Sequence, residues 1–224
     1  MSAYTKFDVA SDLINVHKVI TRALDVAVDE NASAFEKHAA KRAEYDGYIL
    51  YTECLLRQLH EHHSNEDRVV FPMMRSLLPD APYDLLMSQH AEMINVVEQV
   101  ESAITALKAE TYAADIQAQL LGDLQDLRVR WADHIAEEEA HFGPDGISPA
   151  VSMADRVRVG RAAARYAQLH SFPIALMLPF MLYNLQDQDR ATMSQTVPGF
   201  MTKFFVPVLW RKRWEPMRPY LLVE

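Results

Sequence analysis

Thiols are almost missing from this sequence. Cys54 is the single cysteine among 224 residues, so no intramolecular disulfide can form and no thiolate cluster can hold a metal. Positive charge is scarce as well. Lys and Arg total 22 against 31 Asp and Glu, a formal charge of −9. There is no zinc-finger spacing and no long basic helix, so nucleic acid is not an expected partner. Long apolar runs are missing too. The longest, 172–183, is interrupted by Pro173 and Pro179 and is shorter than the roughly 20 residues a spanning helix needs. The opening residues, Met1 to Asp12, carry neither a basic stretch nor an apolar core of signal-peptide length. These absences lead to the expectation of a soluble, cytoplasmic protein. The 50% hydrophobic content is enough to bury a substantial core.

What is present is helical periodicity. Leu13, His17, Ile20 and Leu24 recur at spacings of four, three and four, and so share one helical face. A turn is expected over 29–34. A second helix is predicted over 47–77, with Leu55, Leu59, His62, Glu66 and Val69 on its inner stripe. Pro72 should kink its last turns, because proline removes a donor and clashes with the preceding turn. A third helix, 83–108, turns Leu86, His90, Met93 and Val97 inward. A fourth, 113–141, carries Leu120, Leu124, Leu127, Trp131, His134 and Glu138 and ends at the stop signal Gly143-Pro144-Asp145-Gly146. Gly122 and the Thr111 region weaken the helix forecast locally.

Four long amphipathic segments predict an all-α fold, an up-down four-helix bundle over 1–146. Residues 147–224 are read as a helical C-terminal extension that packs on the bundle or forms an interface. It holds a fifth helix over 153–169, an apolar run over 172–185, a polar turn over 186–190 and an apolar stretch over 204–210. The 172–185 run is too apolar to face water and needs a partner, either the bundle or a second copy in a homodimer. A sharper reading of the tail is membrane-surface contact through Trp210-Arg211-Lys212-Arg213-Trp214, where aromatics flank basic residues.

The chemistry-bearing residues are four histidines, one on the apolar side of each bundle helix: His17, His62, His90 and His134. His62 is followed by Glu66 and His134 by Glu138, each four positions on and therefore on the same helical face. A lone helical histidine is ordinarily structural or exposed, which is the reading given to His38, His60 and His141. Four in phase with two glutamates are a different matter. Imidazole and carboxylate together suit iron and other mid-row divalent metals, and without cations six buried polar groups would be costly to desolvate. His63 and Asp67 form a competing pair one position out of register. The Leu55, Leu59, His62 stripe favours His62 and leaves His63 at the rim or behind the ligands, so His63→Ala is expected to leave most of the metal in place. Glu139 is read as a solvated acid.

The pattern resembles the hemerythrin-like, or HHE cation-binding, domain family. The likeness rests on a His in the first helix, on His62-His63-Ser64-Asn65-Glu66-Asp67 running into Phe71-Pro72, on a His within the third helix, and on His134-Ile135-Ala136-Glu137-Glu138. It implies a non-heme centre of two iron ions, with Glu66 and Glu138 bridging together with an oxo or hydroxo group. His17, His62, His90 and His134 would be terminal ligands. One departure stands out. The oxygen-carrying members place a second histidine four residues after the first on the third helix, where this chain has Ile94. Another residue must then fill that place, with His63, Asp67, Glu61, Glu92 and Glu137 as candidates, or one metal keeps a vacancy. A vacancy favours an oxidase, oxygenase or peroxide-consuming enzyme. The alternatives are an oxygen, nitric oxide or redox sensor or carrier, and an interaction protein with a degenerate site. The partners implied are dioxygen, peroxide or nitric oxide, with a small organic substrate in the enzyme case.

Overall fold

The computed structural model describes residues 5–37, 41–109, 114–147 and 150–223. His38 and the Thr111 region lie outside the described residues. Four long helices make the bundle: α1 (Val9–Asp29), α3 (Arg42–Asn65), α5 (Tyr83–Lys108) and α6 (Ala114–Phe142). α1 packs on α3 and α6, and α5 packs on α3 and α6, so the four close around one axis. Their inward stripes meet in a main apolar core that includes Ile20, Leu24, Leu55, Leu59, Val97, Val100, Leu124 and Trp131, and a second cluster gathers Leu13, Val70, Phe71, Leu86 and Phe142. α6 passes through Gly122 without a break.

Three local expectations within 1–147 are corrected. Residues 29–34 do not form an open turn. A short helix, α2 (Asn31–Glu36), follows α1 after a single linking residue, and Tyr48 Oη donates to Ala27 O at 2.6 Å to hold the corner. The second predicted helix is three pieces. α3 gives way to a π-helical turn (Glu66–Val70) and then to α4 (Phe71–Met74). Pro72 has no N–H to donate back to Arg68, and the wider π turn directly before it accommodates that loss. The added residue shifts the register, so Val70 is buried where the uninterrupted period places Val69. Third, Gly143 ends α6, but Pro144–Ile147 then wind one further turn, α7; proline suits a first helical position.

The C-terminal helices pack on the bundle. α8 (Met153–His170) starts at Ser152, whose Oγ accepts from Asp155 N. Arg156 on α8 reaches back to Asp8, with Nε and Nη2 donating to the two carboxylate oxygens at 2.8 and 2.5 Å. Both groups are buried, and Asp8 is also the N-cap of α1. One carboxylate therefore ties the start of the bundle to the extension. α9 (Ile174–Tyr183) buries Met177, Leu178, Phe180 and Leu182 in the same core as the bundle helices, so the apolar run finds its cover within the chain.

The polar turn expected over 186–190 is instead the start of a helix, α10 (Asp187–Ser194), with Asp187 and Asp189 in its first turn, where acids suit the helix dipole. A π-helix (Met201–Leu209), α11 (Arg211–Trp214) and a 3₁₀ turn (Glu215–Tyr220) complete the chain. The 3₁₀ turn lies on α3 at Gly47, where a Cβ would come within 2.0 Å of Pro216 O; only glycine permits that approach. Trp214 is buried, its Nε1 donating to Val206 O at 2.8 Å, which removes one of the two aromatic flanks of the suggested membrane contact. Among the described residues no helix is long and apolar enough to cross a membrane.

Candidate metal centre

Seven ligand-type side chains converge in the bundle interior. His17 comes from α1, His62 and His63 from α3, Glu66 from the π turn, His90 from α5, and His134 and Glu138 from α6. All seven are buried. They fall into two groups, each with its ligand atoms within 4.8 Å of one another: His63, His90 and His134, and His17, His62, Glu66 and Glu138. The six residues singled out from the helical phase are thus brought together, and His63 joins them.

His63 is not at the rim. Adjacent helical positions differ by about 100°, and the inward sector of a buried helix is at least that wide. His62 and His63 both fit within it. The His63 ring stacks on His90 with centroids 4.1 Å apart, and the other face of His90 stacks on Phe71. Trp131 closes the opposite side, edge-on to His17 and His62 at 5.2 and 5.6 Å. Its Nε1 is satisfied by Thr21 Oγ1.

Three of the imidazoles are held from behind. His90 Nδ1 is 2.9 Å from Asp67 Oδ1, His134 Nδ1 is 3.0 Å from Gln89 Oε1, and His17 Nδ1 is 2.8 Å from Glu139 Oε1. These oxygens only accept, so each Nδ1 carries the proton and donates. Each Nε2 then faces inward. Glu139 is therefore not merely a solvated acid, and neither it nor Gln89 was reachable by searching for ligand residues in phase. Each sits one position away from a phased residue, Glu138 or His90, and only the packed helices show which ring it holds.

The other candidates for the place opposite Ile94 are elsewhere. Glu92 is exposed and pairs with Arg130. Glu137 pairs with His141 on the outside of α6. Glu61 accepts from Ser171 Oγ, and burial raises its carboxyl above the usual range. Asp67 stands behind His90. His170, beyond the bundle, is exposed and stacks on Tyr166.

The inner surface is rich in unsatisfied polarity. His62 Nε2, both nitrogens of His63 and Glu66 Oε2 are buried without a hydrogen-bond partner, and His17 Nε2 opposes Glu138 Oε2 at 3.1 Å. His90 Nε2 and His134 Nε2 face each other at 3.2 Å. With both Nδ1 atoms already donating outward, two lone pairs oppose one another there unless one ring takes a second proton or a cation lies between them. Leaving this many polar atoms unpaired costs several kcal/mol, at ~1–3 kcal/mol each. Cations remove that cost, and the donor set of imidazole and carboxylate suits iron. The residues fit a two-metal group.

Among themselves, the groups divide charge unequally. Burial, reinforced by the neighbouring histidines, pushes His62 and His63 well below the ordinary imidazole range. Burial also lowers His134, against its bond to Glu138. At His17 burial is outweighed by Glu138 and Glu139, and its pKa is raised. Burial opposes ionisation of Glu138 as well, but His134 and His17 hold it well below the usual carboxylate range. Glu66, buried and facing the Glu138 charge, is pushed well above it. Two like acids at one buried place cannot both ionise without a counter-charge.

The model of the hemerythrin HHE cation-binding domain matches residues 8–145. The chain belongs to that family. Comparison with the curated proteins and with the solved structures gives no match. The hemerythrin match ends where α7 begins to lead away from the bundle, and all seven converging side chains lie inside it. The helix-bundle fold of this hemerythrin-like chain carries additional C-terminal helices.

Proposed function

We propose that this hemerythrin-like protein holds two iron ions and takes up dioxygen or nitric oxide at them, as a carrier or sensor. The observation that carries this reading is the pairing of a three-imidazole group with a two-imidazole, two-carboxylate group around unsatisfied inward-facing atoms. When bound, the metal pair supplies redox-active cations that can bind a diatomic molecule and exchange electrons with it.

The chain's residues would divide the work. His63, His90 and His134 hold one cation, and His17 and His62 the other. Glu66 and Glu138, grouped with His17 and His62, would offset the cations' charge. Asp67, Gln89 and Glu139 fix the rings so that Nε2 presents its lone pair, the usual job of groups behind a metal-bound imidazole. Phe71 and Trp131 keep water from the flanks. The fifth histidine is present, at His63 instead of position 94, so the donor count no longer favours a vacancy created by Ile94. The His17 and His62 side supplies one nitrogen fewer than the other, and an external small molecule would bind on that side.

A second reading, an oxidase, oxygenase or peroxide-consuming enzyme, is favoured by one observation: an apolar cavity reaches His62, Glu66 and Glu138. Iron-loaded, reduced protein mixed rapidly with dioxygen decides between the two. Absorption bands that form and vanish on deoxygenation support carriage or sensing. Continuous turnover with peroxide or an organic reductant supports the enzyme. Elemental analysis showing no iron in iron-supplied protein would sink both.

A further inference from the structure

A cavity of about 460 Å³ lies between the bundle and the C-terminal helices. Its bundle wall includes Leu13 and Val70. Its other wall includes Ala163 and Ala167 on α8, Leu178 on α9 and Met201 on the π-helix. Its inner end is His62, Glu66 and Glu138. The space exists because α8 presents alanines here, where a leucine stripe would have filled it. Gly160, two turns before Ala167, lets α8 seat against the backbone of Phe7; a Cβ there would be 2.1 Å from Phe7 O. The extension therefore sits close to α1 at one end and stands off from it beside the metal centre.

The lining says what would fit. The volume is about three times that of an apolar cavity that takes up benzene, and within the range of small-molecule sites. No Lys or Arg lines it among the described residues, while Asp12, Glu66 and Glu138 do. In the metal-free chain a carboxylate or phosphate would find no Lys or Arg to pair with and would meet the Glu138 carboxylate. Several methionines, Met74, Met181, Met193 and Met201, line it and adapt to varied apolar shapes. Asn65 adds one polar contact. Its Nδ2 is engaged by Ala163 O at 3.0 Å, and its Oδ1 is buried without a partner, able to accept from one hydroxyl.

We propose that this cavity binds a neutral, largely hydrocarbon molecule of about fifteen non-hydrogen atoms, with one end against His62, Glu66 and Glu138. The binding stands on the cavity alone; its nearness to metal rests on the metal-centre reading above.

The test uses the full chain. N-phenyl-1-naphthylamine, a neutral apolar fluorophore, should bind with saturable enhancement, one molecule per chain. In chelator-treated, metal-free protein, dodecan-1-ol should displace it and dodecanoate, which could otherwise ligate a bound metal, should not. Ala167→Trp and, from another element, Met201→Trp should each weaken binding about tenfold or more, with the exposed Arg165→Ala as the unchanged control. Absence of saturable binding, equal competition by dodecanoate, or full binding by both filled variants with native circular dichroism would overturn the proposal. In cobalt-loaded protein, proton signals of bound dodecan-1-ol should broaden beyond those in zinc-loaded protein. Binding without that broadening, with two cobalt ions present by elemental analysis, overturns the placement. A chain that takes no cobalt refutes the metal reading instead, and the fluorophore arm then decides the cavity.

Discussion

His63 and His90 lie face to face, their planes 14° apart and their centroids separated by 4.1 Å. Both side chains are buried, and both nitrogens of His63 lack a hydrogen-bond partner. A ring in that position is expensive unless it ligates. His63→Ala should therefore strip metal as His62→Ala should, against the expectation from the helical stripe alone. Elemental analysis of purified, iron-supplied variants checks this. Two irons retained per chain in His63→Ala would remove it from the ligand set.

Asp67 and Glu139 are expected to matter without touching a metal. Each accepts from an Nδ1, of His90 and His17 respectively. Loss of such a partner lowers metal affinity by about 10–100-fold. Asp67→Ala and Glu139→Ala should show this in chelator competition while keeping native helicity. Affinities equal to the parent chain would mean that the rings are held by packing alone.

Metal-free protein should lose stability as the pH drops below about 6.5, the ordinary imidazole value. The sign follows from proton counts. Burial lowers His62, His63 and His134, so the unfolded chain binds protons there that the folded chain refuses, and acid favours unfolding. Raised His17 and Glu66 work the other way, but the three lowered groups outnumber them. Urea midpoints of chelator-treated protein at pH 7 and pH 5 (on either side of that value) test the direction. A higher midpoint at the lower pH would contradict it. Loaded protein should also release metal on acidification, since ligands must be deprotonated.

Arg156 and Asp8 form a buried two-point pair. Removing one partner leaves the other charged and buried, at a cost of about 3–5 kcal/mol. Arg156→Met should lower the unfolding free energy by that order, and Asp8→Leu with Arg156→Met should recover much of it. If the single variant costs under about 1 kcal/mol, typical of a surface pair, the clamp is not holding the extension to the bundle.

Much of the bundle was legible because helical phase is local. The third helix is observed at the predicted 83–108 and the fifth within one residue of its predicted end. The phase of His17, His62, Glu66, His90, His134 and Glu138 follows from a 3.6-residue period read along single segments. What failed was non-local or depended on a break in that period. The π turn moved burial from Val69 to Val70. The acids at 187 and 189 looked like a turn but begin a helix that packs on α9.

By itself, then, the order of residues determined four amphipathic helices and six inward ligand-type groups, since each helix carries its own periodicity. Only the packed chain decided that His63 faces inward beside His62, that Asp67, Gln89 and Glu139 hold rings from behind, and that α8 stands off to leave a cavity. Those outcomes depend on how helices rotate against one another and where the tail lands, and both are set by contacts between residues far apart in the chain.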